Sequence, residues 1–210
     1  MEDFNVEIQL EKMMEDAGLK PLDAGTLAKF ATYLEVFERW NARVNLSAVR
    51  DAEGILQRHF IESIACAQML PAGISTLLDF GSGGGFPGIP VSLCRPEIQV
   101  TLAESQGKKA AFLQEAVRQL GLTAKVHSGR AEELHERFDC VTLRAVDHMG
   151  KAVETAAALV SPAGFLALMT TGQEAAALKT SAGPAFRWDS EFAIPGGEQR
   201  ILALGKRLSE

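Results

Sequence analysis

The residues best suited to chemistry in this chain lie in the run "LLDFGSGGGFPGIP", from Leu77 to Pro90. An apolar stretch stops at Asp79, and five glycines follow within eight residues, Gly81 to Gly88. Such a loop lets backbone amides approach a ligand closely. A triphosphate-gripping loop needs Lys and then Ser or Thr after its last glycine. Here Ile89 and Pro90 follow Gly88, so that reading is excluded. A dinucleotide reading fits better: Gly83, Gly85 and Gly88 make G-x-G-x-x-G, with Glu104 21 residues beyond Gly83, the distance for an acid on ribose hydroxyls.

Two details favour S-adenosylmethionine over a dinucleotide. Asp79 stands two residues before the series Gly81, Gly83 and Gly85. A carboxylate beside the loop suits a ligand bearing an ammonium and a sulfonium, and repels a pyrophosphate. Pro87 and Pro90 also remove amide donors that a pyrophosphate would use. Glu104 would accept from ribose hydroxyls with either ligand. Farther along, "GRAEEL" (129–134) puts Arg130, Ala131 and Glu132 after a strand, where an adenine lies in such folds. "TLRAV" ends a very apolar strand in Arg144. A guanidinium is costly to hold near an interior, which marks Arg144 as the residue most expected to touch ligand or substrate.

Other reactive side chains carry less. His59, His127, His135 and His148 are scattered and read as structural or exposed. Cys66, Cys94 and Cys140 are odd in number and form no CxxC pair. Neither a disulfide framework nor a metal site is expected, and a reducing cytoplasm fits.

These residues need a frame. Up to residue 70 the chain reads as helices: Leu27, Phe30, Leu34, Phe37 and Trp40 form one amphipathic stripe. Asp51 caps a further helix that carries Ile55, Leu56, Phe60, Ile64 and Met69 up to Pro71. From Ile74 strands alternate with helices. Strands are expected at "STLLDF", "IQVTLAE", "AKVHSG", "FDCVTLRAV" and "GFLALMT", with "RWDSEFAI" and "QRILALG" as a closing antiparallel pair. The expectation is an α/β fold with a mostly parallel sheet covered on both faces. Residues 1–70 would be a helical extension and 71–210 the ligand-binding domain.

Composition is that of a globular protein, with 47% apolar and 23% charged residues among 210. No apolar run is long enough to span a bilayer, and the acidic amino terminus is no signal peptide. The net charge of −6 argues against bulk electrostatic coating of nucleic acid. Residues 1–70 hold 7 basic against 12 acidic side chains, yet Arg39, Arg43, Arg50 and Arg58 cluster as a local basic patch.

The segments "WNARVNLSAVRD", "RHFIESI", "LLDFGSGGGFPGIPVSLCRPE", "LAESQGKKAAFL", "GRAEEL", "LRAV" and "GEQRIL" together resemble the bacterial 16S ribosomal RNA N7-guanine methyltransferase family, also called glucose-inhibited division protein B. The resemblance spans nearly the whole chain. It implies a Rossmann-like class I S-adenosylmethionine-dependent methyltransferase sheet of about seven strands behind an amino-terminal helical extension. By it Gly81, Phe86, Ala131, Glu132 and Arg144 would contact the methyl donor, and S-adenosylhomocysteine would be the product. The family's basic active-site residues would fall on Lys108, Arg130, Arg144 and Arg200. One departure is Thr171, in "MTTGQ", where relatives usually have Lys. The implied substrate is the guanine at position 527 of 16S ribosomal RNA, in the 530 loop, within the small ribosomal subunit. A monomer without membrane or metal partners is expected. The residues by themselves leave room for another RNA, a small molecule, or an NAD-dependent oxidoreductase.

Overall fold

The computed structural model describes residues 5–197 and 199–209. Helix α1 (Val6–Asp16) starts where the Asn5 side chain accepts the Ile8 N–H, and α2 (Ala24–Val44) where Asp23 accepts that of Thr26. Asn45 ends α2 in the left-handed region at φ 55°. Asp51 caps α3 (Ala52–Ile55), as its position before the apolar stripe requires. Beyond α3 the chain departs from the expected single helix. Leu56–Ile61 is π-helical, and only then does α4 (Glu62–Met69) resume the α form.

The strands are β1 (Thr76–Phe80), β2 (Gln99–Ala103), β3 (Lys125–His127), β4 (Phe138–Arg144), β5 (Val160–Thr171), β6 (Phe186–Ala193) and β7 (Arg200–Arg207). They form one sheet in the order β3-β2-β1-β4-β5-β7-β6. The first five run parallel, and β7 lies antiparallel to both β5 and β6. Helices α5 (Gly88–Cys94), α6 (Gly107–Gln119), α7 (Met149–Ala158) and α8 (Gly172–Ser181) cover it. This is the fold class expected, including the antiparallel edge.

Strand periodicity divides the core in two. Leu77, Val100, Leu102, Cys140 and Met169 face one side with α1, α2, α4 and α6. Leu78, Val141, Leu143, Leu166 and Leu168 face the other with α7 and α8. Alternate residues of each strand point to opposite faces, so each sheet face has its own helical layer. The helices before residue 70 share the first core with α5 and α6.

The sheet reverses its winding between β1 and β4, which pair directly. A crevice therefore opens beyond their carboxyl ends. Thr171 closes β5 and caps α8: its Oγ1 accepts the Glu174 N–H at 3.3 Å and donates to Glu174 Oε2 at 3.0 Å. Thr170 adds a second bond to that carboxylate. Thr171, which the resemblance marks as a departure, thus serves as a helix cap.

Candidate active site

The glycine loop hangs from β1 and is pinned underneath by Asp79. One carboxylate oxygen accepts the Gly88 N–H at 3.1 Å and the other the Thr142 hydroxyl at 3.0 Å. A Cβ on Gly88 would lie 2.3 Å from Leu102 Cδ2 and 2.7 Å from Asp79 Oδ2, so only glycine lets α5 sit this close. Burial is the main cause that raises the Asp79 carboxyl to about 6, against these hydrogen bonds, which lower it. Asp79 is 1% exposed and lines neither lobe of the crevice above the loop. The sequence suggests a carboxylate beside the ligand; the structure puts it below the loop, as the peg that holds the turn.

Above the loop the crevice has two adjoining lobes, of about 420 and 340 Å³, which share Gly81, Ser105, Val146 and Asp147. Gly81 adopts φ +70°, and a Cβ there would meet Val146 at 3.0 Å. A side chain at this point would crowd the junction of the lobes. Glu104, ending the turn after β2, lines the larger lobe with Oε2 on the Gly83 N–H (2.9 Å) and Oε1 on the Gln106 N–H (2.7 Å). Each oxygen keeps one acceptor site. Phe86 lines the same lobe, as do Gly83 and Gly84; Gly85 is packed behind it, against Ile89 and the Tyr33 hydroxyl. Arg130, Ala131 and Glu132 line the smaller lobe, with Ala131 buried and the other two exposed.

Arg144 enters the larger lobe from the end of β4 with its side chain 9% exposed. It is paired with Glu62, whose side chain is 3% exposed, at 3.0 Å. Mutual pairing is what lets both charges be buried. Burial still pulls the Arg144 guanidinium below its ordinary value, with Glu62 the chief opposing influence.

His59, which the sequence marks as structural or exposed, instead lines the larger lobe. Its ring stacks on Phe86 with centroids 4.9 Å apart at 28°. Nδ1 lies 3.0 Å from Arg144 Nη2, and Nε2 lies 2.7 Å from Ser47 Oγ. Burial first, and then the Arg144 charge, push its pKa down to about 3. The imidazole is therefore neutral at physiological pH.

Two other expectations shift. Lys108 is exposed and lines neither lobe, whereas its neighbour Lys109 lines the larger one. The resemblance puts a basic active-site residue at Lys108, and the phase of α6 turns Lys109 to the lobe. Arg200, at the start of β7, is half-buried beside Gly197 and lines neither lobe; its charge acts on Arg144 and His59. Ser47, Lys109 and Asp147 do not stand out in the sequence, yet all three face the crevice. None of the three carries a sequence signal of its own, and the i, i+3 spacing of His59 and Glu62 reads only as one helical face, with no pointer to Arg144. Cys140 is wholly buried at the start of β4, with burial raising its thiol well above the usual range, so it is no nucleophile.

Of the basic patch, Arg39 is paired with Glu115 and Arg50 bonds the Asn41 carbonyl and the Asn45 side chain, while Arg43 and Arg58 are exposed. Among the described residues, no helix is long and apolar enough to cross a membrane.

Comparison with known proteins bears on the fold and on the family. The mitomycin 7-O-methyltransferase MmcR superposes with TM-score 0.61 at 14% identity, covering 85% of this chain and 67% of that one. A methyltransferase from Pyrococcus furiosus gives 0.61 at 14% identity, covering 86% and 97%. These likenesses speak to the fold. The ribosomal RNA small subunit methyltransferase G of Stenotrophomonas maltophilia (strain K279a) is 38% identical over 208 residues, 95% of each chain. That of Xanthomonas euvesicatoria pv. vesicatoria (strain 85-10) is 39% identical over 193 residues, 88% of this chain and 89% of its own. A family model described as rRNA small subunit methyltransferase G matches residues 26–187. A chain with this sheet, this glycine-lined crevice and relatives this similar over most of their length belongs to the GidB family of small-subunit ribosomal RNA methyltransferases.

Proposed function

We propose that this ribosomal RNA methyltransferase moves the methyl group of S-adenosylmethionine to N7 of a guanine in 16S ribosomal RNA, position 527 in the 530 loop. The observation that carries the reading is His59: both of its ring nitrogens are engaged, one by Arg144 and one by Ser47. The imidazole of the larger lobe therefore serves to hold its neighbours, and is not poised to remove a proton. Guanine N7 has a free lone pair and no proton, so its methylation needs none removed.

When bound, S-adenosylmethionine supplies an electrophilic methyl on a sulfonium. The loop residues Gly81 and Gly83 would take its amino-acid part, the free acceptor sites of Glu104 its ribose hydroxyls, and the Ala131–Glu132 backbone its adenine. The shape supports this fit: Gly81 sits where the two lobes join, and a Cβ there would close the passage. Catalysis then rests on bringing N7 and the methyl within ~3–3.5 Å in line and on excluding water. The product base is cationic, so a guanidinium must avoid N7. Arg144 and Arg130 would engage O6 or a phosphate in place of the usual bidentate grip on guanine.

The base must be unstacked for this chemistry, so a loop nucleotide is the natural target. An acidic protein reads such a site in a shaped particle more readily than as free polyanion. The enzyme would act as a cytoplasmic monomer on the small subunit. Incubation with radiolabelled methyl donor and unmodified small subunits, followed by mapping of the label, tests the proposal. Label confined to N7 of that guanine supports it, and label elsewhere or none refutes it. Equal rates on short naked RNA and on subunits would refute the particle requirement.

A further inference from the structure

The guanidinium of Arg144 lies over the Phe86 ring, 5.8 Å from its centroid, and among the described residues its polar contacts all fall on Nη2. Nη2 lies 3.0 Å from Glu62 Oε2, 2.6 Å from the Arg58 carbonyl and 3.0 Å from His59 Nδ1. Three acceptors thus surround two protons. Nη1 is buried and has no hydrogen-bond partner among the described residues, although Arg144 lines the larger lobe. A buried donor left unmatched is costly and marks a place where a partner arrives.

Two of the three acceptors come from the π-helical turn. There the Glu62 N–H bonds the His59 carbonyl, and the Arg58 carbonyl takes a guanidinium proton. Short π segments inside α-helices recur at functional sites. The imidazole beside it is set with equal care. Arginine only donates, so Nδ1 must be bare and the ring proton must sit on Nε2. From there it points at Ser47 Oγ at 2.7 Å, which also accepts the Val49 N–H at 3.1 Å.

We infer that His59 is a positioning residue for methyl transfer: Ser47 fixes its tautomer, and its bare Nδ1 holds Arg144 so that Nη1 donates to an oxygen of the acceptor nucleotide. This rests on the RNA-methylating reading above. The low pKa of His59 is consistent with it, because the ring stays an acceptor across the working pH range. The competing role is a plain aromatic plug, since the ring also meets Phe37 edge-on at 6.1 Å.

Two variants separate the roles. His59→Phe keeps a flat ring on Phe86 and removes the acceptor; His59→Asn keeps an acceptor near the Nδ1 position and loses the ring. Positioning predicts that H59F lowers kcat on small subunits by about 10- to 100-fold, the scale of a hydrogen bond to a charged group. H59N should retain the greater activity, and calorimetric affinity for S-adenosylhomocysteine should be kept by both. Full activity of H59F, or H59F above H59N, overturns the inference. Nitrogen-15 spectra of the wild-type ring should report an unprotonated Nδ1 and a protonated Nε2, and the reverse also overturns it. If wild-type protein methylates no RNA, the functional reading falls, while the tautomer measurement still judges the His59–Arg144 contact. Binding of small subunits that carry guanine or adenine at the acceptor position identifies the oxygen. An H59F penalty confined to guanine indicates O6, one equal for both indicates a phosphate, and no penalty with either overturns the contact.

Discussion

Replacing Asp79 with asparagine isolates the energetic cost of a charge buried beneath the glycine loop. The carboxyl titrates at about 6 in the folded protein against an ordinary 3.8. In the unfolded chain it ionises near the lower value, so between roughly pH 4 and 6 the folded state holds more protons. Stability from this group therefore falls as pH rises through that window and stays reduced above it. A shift of about two units corresponds to about 3 kcal/mol at pH 7.5. Asparagine carries no charge, and its carbonyl can take the Gly88 N–H while its amide donates to Thr142 Oγ1. Urea denaturation of both proteins from pH 7.5 to 4 reads the difference directly. The variant should be more stable by about 3 kcal/mol at pH 7.5, with the advantage shrinking to nearly zero by about pH 4. Affinity for S-adenosylhomocysteine should survive, because the carboxylate faces the loop's underside. A less stable variant at pH 7.5, or a difference that ignores pH, would refute the reasoning.

Other perturbations have equally definite outcomes. Glu62→Ala leaves the Arg144 charge buried without its counter-ion, so urea unfolding should show a loss of about 3–5 kcal/mol. Gly81→Ala forces a side chain into a left-handed backbone at 3.0 Å from Val146; calorimetry should find binding of S-adenosylhomocysteine weakened by about tenfold or more, from strain of about 1–3 kcal/mol. Thr171→Ala removes the α8 cap and should cost about 1 kcal/mol in urea unfolding, and an unchanged midpoint would deny the capping role.

Much of this architecture is legible in the residues. The alternation of strands and helices after Ile74 determines the sheet, and the closing pair is readable because too few residues separate β6 from β7 for a crossover. Asp51 announces a helix start that the structure has. The glycine spacing and Glu104 locate the crevice, since both are local signals at the carboxyl ends of adjacent strands. Polar groups whose meaning depends on distant partners are not legible. His59 acquires its place from Arg144, 85 positions away, and nothing in "RHFIESI" announces that contact. Asp79 misleads because a carboxylate next to a glycine loop looks the same in sequence whether it faces ligand or core. Lys108 and Lys109 differ only by about 100° of helical phase, which the run "GKK" leaves open.

Tyr33 of α2 donates its hydroxyl proton to the Gly84 carbonyl, and its ring stacks on Phe60 at 5.1 Å. One phenol therefore ties the amino-terminal helices to the loop expected to hold the methyl donor. Any ligand that quiets that loop must also quiet α2, since a stiffer Gly84 offers a steadier acceptor. Amide hydrogen exchange along Phe30–Phe37 should slow when S-adenosylhomocysteine is added, although none of these residues lines the crevice. Removing the residues before 71 would sever this tether, so cofactor capture and integrity of the leading helices are thermodynamically linked.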